Sequence, residues 1–521
     1  MNAGDTSIEK NALTNSCSGS ARKPCIFFCL RDFSSVRNML PPVAVETLGT
    51  FDGTIVFLVT DPGSTFLRGY LNRPNFRFER LEAKAMNLAS RQGRLTEWLR
   101  QVRFLTYGNS TPGSMGTRKY HAHVFREEML GASRTPFGRM YYGSVIPAAH
   151  LAGRSRLLRD LIVATEARIT KFDAHAELFR KYRPDWLIVP TLGYAQDPPL
   201  MYEARRHGTR LLSIVRSWDN TTNKGYGAIR ADRVFTWSQL MAEEVVRHHD
   251  IPAEKVEVTG VPHWDVYFND VPIRDRAQFF QDHGLKPNRK LIYYAMSGPH
   301  SFRKNFELIR LMLERIRDGA IDQSAQLLIR IHPAYVLNTT RWGDAIEEMN
   351  REIPVLRQEF GDLFSISDQE VEQIGDLRLL THRNQVLNKE IFRYADVLVN
   401  IYSTQMVEAA IFDLPTVTAG WHPLRNTDKP ISVFEEYDHV RRVLATGAVT
   451  TTHTPEELIA AINLDLADRG RLRAERKALL DQEITDYRGT AGIRTAQRII
   501  ELARNGSNTD RKATQTQESS P

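Results

Sequence analysis

Three cysteines are all that this 521-residue chain contains, Cys17, Cys25 and Cys29. An odd, low count excludes a disulfide framework and fits a reducing compartment. Cys25 and Cys29 lie in one apolar run, Cys25–Leu30. Two small buried side chains on a core strand are a simpler reading there than a metal or redox pair. Metal-ligand spacing is missing throughout: there is no HExxH, no paired CxxC and no Asp-x-Asp. No GxxxxGK[ST] loop occurs either, which argues against a P-loop NTPase. No apolar run approaches the roughly 20 residues that cross a bilayer. The candidates, such as Thr54–Val59, are strand-length. The polar, acid-containing N-terminus does not fit a secretory signal. The expected setting is cytoplasmic, peripheral to the inner face of a membrane at most.

What is present is ordinary in bulk. Hydrophobic residues make up 42% and charged residues 25%, as in a globular protein. The net charge of +7, from 69 basic and 62 acidic residues, suits an anionic substrate or an anionic membrane surface. It is too diffuse for nucleic acid, which wants a concentrated basic face.

Residues 1–23 and 506–521 are polar, lack apolar anchors and read as disordered tails. Between them short apolar runs alternate with helical stretches, the pattern of parallel sheets covered by helices. The first set of strands is Cys25–Leu30, Thr54–Val59, 185–189 and 211–215, with helices at 157–181 and 201–207. The second is Lys290–Ala295, 325–331, 395–401 and 415–418, with helices at 302–317 and 388–394. The expected fold is therefore α/β, with two Rossmann-like domains facing a cleft. Residues 24–270 and 271–505 would form these two domains, with the junction near 265–288. The last helix, 489–503, is placed to cross back to the first domain. Ligands in such sheets bind at the carboxyl ends of the strands. Residues 106–150 read as irregular, with a long loop at 107–116 followed by Arg118, Lys119, Tyr120, His121, Arg139, Tyr141 and Tyr142. That set would hold an anionic acceptor or touch a membrane, unless the insertion has no binding role.

Polar residues gather at the strand ends. After 395–401 come Ser403 and Thr404, whose hydroxyls are placed to cap the helix that ends before Pro415. Glu408 lies one turn further, on the same side. Such a start suits a phosphate, and the carboxylate suits a ribose. An ordinary capped helix explains the same residues. Ser297 and Gly298 follow Lys290–Ala295, and Arg330, His332 and Pro333 close the next strand. The proline sets the direction of the His332 ring. A lone histidine is usually structural, but several polar strand ends in one domain favour a pocket. In the first half, Arg216, Ser217, Trp218, Asp219, Asn220 and Lys224 follow 211–215. Asp219 is the candidate general base and Lys224 the candidate for offsetting charge on a leaving phosphate. An Asx-type turn with Trp218 as a core plug reads equally well. Arg31 sits where an anion could be met, Asp61 and Asp396 read as turn formers, and His263 and Asp265 are placed to line a hinge.

Together these residues resemble glycosyltransferases of the GT-B architecture. The narrower likeness is to the bacterial surface-polysaccharide and CDP-glycerol glycerophosphotransferase-like group. The resemblance rests on Arg330 to Pro333, Ser403-Thr404 with Glu408, Ala409 and Pro415, the Ser217–Asn220 run with Lys224 and Gly225, Gly260 to Asp265, and Asp486 to Gly489 with Arg494 and Arg498. It covers roughly residues 180–505 and is weak over 30–150. It implies that residues 24–270 are the acceptor domain and 271–505 the nucleotide-donor domain. It implies that His332, Ser403 and Thr404 bind the phosphates of a nucleotide-activated sugar or polyol donor, and that Glu408 binds its ribose. It implies a glycan or lipid-linked acceptor, no cofactor and no obligatory metal. The base varies in that superfamily, so Asp219 comes from the local reading alone. Two rival expectations are a nucleotide-sugar epimerase of the same shape and a non-catalytic nucleotide-sugar-binding relative.

Overall fold

The computed structural model describes residues 22–31, 34–89, 93–106, 121–131, 133–194, 196–299, 301–337, 342–367, 369–374, 377–423 and 430–518. Two parallel sheets organise it. The first consists of β1 (Cys25–Leu30), β2 (Thr54–Val59), β3 (Phe76–Arg80), β4 (Trp186–Val189), β5 (Arg210–Ile214), β6 (Arg233–Thr236) and β7 (Val256–Val258). Its order is β3-β2-β1-β4-β5-β6-β7. The chain then forms β8 (Lys290–Ala295), β9 (Ala325–Arg330) and β10 (Phe364–Ser367). A separate antiparallel hairpin follows, β11 (Val371–Ile374) and β12 (Leu377–Leu380). The second sheet resumes with β13 (Val397–Asn400), β14 (Thr416–Ala419) and β15 (Val449–Thr452), in the order β10-β9-β8-β13-β14-β15.

Both sheets are wound alike. Each starts in the middle, runs to one edge, returns and runs to the other. The reversal falls between β1 and β4 in the first and between β8 and β13 in the second. This is the expected pair of Rossmann-like sheets. Strands such as β1 and β9 are buried along their whole length, which is why they read as unbroken apolar runs. Cys25 and Cys29 are both buried on β1, as the core reading requires. Strand β3 escaped notice because Arg77, Glu79 and Arg80 give it the charged face of an edge strand.

One expectation is corrected here. Residues 106–150 are not all loop: helix Pro136–Arg154 runs for 19 residues. It packs with helices Arg94–Thr106 and Arg156–Ile169 around Val102, Leu105, Val145 and Ala149. Aromatic and glycine residues mask its periodicity in the sequence. The 107–116 run, Arg118, Lys119 and Tyr120 lie outside the described residues. The last helix does cross back to the first sheet, as its place in the sequence leads one to expect. Helix Ala491–Glu518 inserts Ala496, Ile499, Ile500 and Ala503 into the core over β1 and β2, and it continues past residue 505. The expected tails at 1–21 and 519–521 lie outside the described residues.

The crossing is fastened by the 260–265 segment. Asp265 accepts from the amides of Ala491 and Gly492 at 2.9 and 2.7 Å, closing the start of the last helix. Gly260 has φ +83°, and a Cβ there would stand 2.8 Å from the Cβ of Ala491. Asp265 therefore serves this helix start. Among the described residues no helix is long and apolar enough to cross a membrane.

Candidate functional site

The carboxyl ends of the two sheets converge on one cleft of about 210 Å³. The second sheet contributes Ala295 and Met296 after β8, His332 and Pro333 after β9, and Ser403 and Thr404 after β13. The first sheet contributes Arg37 and Asn38 from helix Ser35–Met39, Arg216 after β5, Trp237 after β6, and His263. The cleft thus spans the switch point of the second sheet and the edge of the first, the position where open α/β sheets take ligands.

Each donor-side residue is aimed by local structure. Two residues after the end of β13, Tyr402 has a left-handed φ of +39° and turns the chain sharply into Ser403. Neither hydroxyl caps helix Gln405–Ile411, contrary to expectation. Thr404 occupies the N-cap position with helical angles, φ −51° and ψ −25°, whereas a capping side chain needs an extended backbone. The amides of Met406 and Val407 bond instead to the carbonyls of Ser403 and Thr404. Asn400 Nδ2 donates to Ser403 Oγ at 3.2 Å and steadies it. His332 Nδ1 accepts from the amide of Ala334 at 3.0 Å, so the neutral ring carries its proton on Nε2, the nitrogen that can donate to an anion.

Glu408 lines the cleft with 8% exposure. The hydroxyl of Tyr267 donates to its Oε2 at 2.6 Å. Burial pushes the Glu408 carboxyl up, while Tyr267, Arg37 and Arg330 pull it back. Two buried polar atoms on the cleft wall, His263 Nδ1 and Asn388 Oδ1, have no protein partner. Buried polar atoms are nearly always partnered, so a hydroxyl-rich or phosphate-bearing occupant fits this wall. Burial holds the His263 ring well below its usual range, which keeps it neutral.

His332, Ser403, Thr404 and Glu408 are thus brought together. Ser297, Gly298, Arg330, Asp219 and Lys224 are not among the residues lining this cleft. The Ser297 backbone is clamped by Asn305, through its amide at 3.0 Å and its carbonyl at 3.1 Å. The Gly298 carbonyl receives the amides of Ser301 and Phe302. Arg330 is 2% exposed and donates to Ser367, Gln369 and Asn384, which ties β9 to β10 and to the helix before β13. Arg31 meets Asp197 at 2.6 Å, an internal anion.

Asp219 fits the role of a general base poorly. Its Oδ2 lies 2.8 Å from Lys224 Nζ, and Ser217 and Asn220 donate to its Oδ1. Burial raises its proton affinity, but Lys224, His439 and Ser217 outweigh that and hold the carboxyl well below the usual carboxylate range. A carboxylate so held takes up a proton reluctantly. The surrounding loop serves instead as a ledge for the second half. Thr222 Oγ1 lies 2.9 Å from His439 Nδ1, and the Trp218 and His439 rings meet edge-on at 4.8 Å. Beside them Arg442 joins Glu244 and Glu483.

Cleft residues overlooked in the sequence include Arg37, Asn38, Gln385 and Asn388; Tyr267, which holds Glu408 from behind, is overlooked too. Arg37 carried a usable signal, since its helix follows β1 directly. Asn388 and Gln385 lie inside helix Arg383–Tyr394, where polar residues give no hint that they face a ligand.

No family model matches this chain, and no curated protein matches it. Solved structures do. A UDP-GlcNAc 2-epimerase from Methanocaldococcus jannaschii is 13% identical, with 92% of this chain and 99% of that one covered, at a TM-score of 0.44. A glycosyltransferase from Rickettsia africae is 10% identical, covering 93% and 98%, at 0.47. Anabaena HepE in complex with UDP is 11% identical, covering 92% and 100%, at 0.45. These likenesses are of coarse architecture, and they assign neither a reaction nor a ligand to this chain.

Proposed function

We propose that this protein is an enzyme moving a sugar or polyol-phosphate unit from a nucleotide-activated donor to a glycan or lipid-linked acceptor. The observation that carries the reading is the cleft itself. His332, after β9, meets Ser403, Thr404 and Glu408, one stretch after β13, at the switch point of the second sheet. In this reading His332 Nε2 and the two hydroxyls hold the donor's phosphates, and Glu408, steadied by Tyr267, accepts from the ribose. Charge developing on the leaving phosphate is met by these donors and by Arg37 and Arg216 across the cleft. Asp219 and Lys224 act as a fixed ion pair that keeps the first-sheet wall in register. No metal is required for these roles.

The test is nucleotide release from a panel of UDP-, CDP- and GDP-linked donors, with and without a lipid-linked glycan acceptor. Turnover that needs acceptor and collapses in a Ser403→Ala/Thr404→Ala variant supports the proposal. Normal turnover by that variant would remove the site assignment. A second reading, epimerisation of a nucleotide sugar, draws on the cleft carboxyl of Glu408, whose proton affinity burial raises, and on the occupied state of Asp219. An epimer formed without any acceptor would select it.

A further inference from the structure

Exposed apolar side chains are unevenly spread over this molecule. Of eleven large ones exposed among the described residues, seven fall between residues 88 and 161. Single exposed leucines need no explanation, but a contiguous patch does. Helix Pro136–Arg154 shows the pattern most sharply. Phe137, Met140, Pro147 and Leu151 follow one another at helical spacing, so they share one face, and all four are exposed. The other face, with Val145, Ala149 and Ala152, is buried. The exposed stripe is about 20 Å long at the helical rise.

The charges around it are mostly basic. The helix bears Arg139 and Arg154 and no acidic residue. Residues 94–169 hold twelve Arg and Lys against five Asp and Glu, an excess equal to the +7 of the whole chain. Three of those acids are engaged, Glu97 by Arg100, Glu166 by Arg103 and Asp160 by Arg230. The Arg94 guanidinium stands 5.0 Å from the Phe137 ring centre. Trp98 Nε1 donates to Ser144 Oγ at 2.8 Å on the same exposed side. An apolar stripe edged by arginines and amphipathic aromatic rings matches the layered chemistry of a lipid–water interface.

We infer that this face of helix Pro136–Arg154 docks on an anionic lipid surface. Charge complementarity selects that occupant over a second copy of the chain. Across a two-fold axis the same arginines would face each other and repel. The insertion is also firmly mounted. Arg103, on helix Arg94–Thr106, donates to Glu166 and to the carbonyls of Gly193 and Tyr226, which lie in loops after β4 and β5. Docking therefore holds the carboxyl edge of the first sheet near the lipid. That a lipid-linked acceptor would enter there rests on the proposed reaction; the docking surface does not.

The test is co-sedimentation of the full chain with vesicles of phosphatidylglycerol in phosphatidylcholine, against phosphatidylcholine alone. The expected result is binding to the anionic vesicles only, weakened by salt. Met140→Glu/Leu151→Glu should lower it about tenfold or more without changing the melting temperature, because both side chains are exposed. Arg139→Glu/Arg154→Glu should do the same. Equal binding to neutral vesicles, no binding to either, or full binding by both double variants would overturn the inference. So would a dimer, seen by light scattering, that the same substitutions dissolve. Nucleotide binding measured without lipid separates failure here from failure of the proposed reaction.

Discussion

Two polar loops follow strands in this protein, one at 217–224 after β5 and the other at 402–408 after β13. In sequence they look equally functional. In the structure they differ, although Ser217 of the first also reaches the cleft wall. The first turns its polar groups on itself and on the facing half: Asp219 on Lys224, Thr222 on His439. The second leaves the Ser403 and Thr404 hydroxyls uninvolved in capping and lines the cleft with them. A polar cluster becomes a binding site when its own chain does not saturate it, and composition alone does not reveal that.

The largest expected effect comes from breaking the packed side. Arg442 is buried between Glu244 and Glu483, with side-chain exposures of 12%, 11% and 3%. Removing it leaves two buried carboxylates without their cation. Arg442→Ala should cost about 3–5 kcal/mol in denaturant unfolding. A cost below about 1 kcal/mol would show the ledge to be only a surface contact.

Breaking the cleft side should do the reverse. Ser403→Ala/Thr404→Ala should reduce kcat by about 10²–10³-fold while leaving the melting temperature near that of the parent. A lowered melting temperature with unchanged kcat would make these hydroxyls structural, like those of the first loop.

Asp219→Asn sharpens the contrast. It should destabilise the fold by about 1–3 kcal/mol, since Lys224 and Ser217 lose a charged partner. It should leave the shape of the pH–rate profile unchanged. Loss of the acidic limb of that profile would restore Asp219 as the base.

The smallest effect concerns pH. Burial lowers the His439 ring to about 3, while an unfolded histidine titrates near 6.5. The folded pKa is depressed, so between these values the unfolded chain binds more protons. Stability from this group is complete above about 6.5 and is lost as pH falls toward 3. His248, lowered to about 3, and His249, lowered to about 4, act in the same sense. Asp265 and Asp438, raised to about 6, act in the opposite sense below that pH. Melting temperature should fall from pH 7 to pH 5, and His439→Gln should flatten the slope. An unchanged slope would place His439 in solvent.

Much of the fold could be read because strands buried on both faces show as apolar runs with polar ends, as at β1, β8, β9 and β13. The charged edge strand β3 and the helix Pro136–Arg154 could not, since neither presents a clear apolar period. The return of the last helix to the first half is legible in its apolar positions, and Ile499 and Ile500 find their core over the first sheet. In the cleft, the strand-end residues His332, Ser403, Thr404 and Glu408 were visible. Gln385 and Asn388 were not, because long-range packing alone brings them there, and Arg37 shows only through the position of its helix after β1. Arg330 shows the converse: a conspicuous strand-end cation that serves the packing of β9.

The central claim is that the second sheet's edge, and not the first loop, holds a nucleotide. It is tested most directly by the melting temperature of three proteins, the parent, Ser403→Ala/Thr404→Ala and Asp219→Asn, titrated with UDP, CDP and GDP. Binding to the folded state should raise the melting temperature by mass action. The account predicts that at least one nucleotide stabilises the parent and Asp219→Asn alike and fails to stabilise the double variant. A nucleotide shift retained in full by the double variant, or the absence of any shift in the parent, would contradict it.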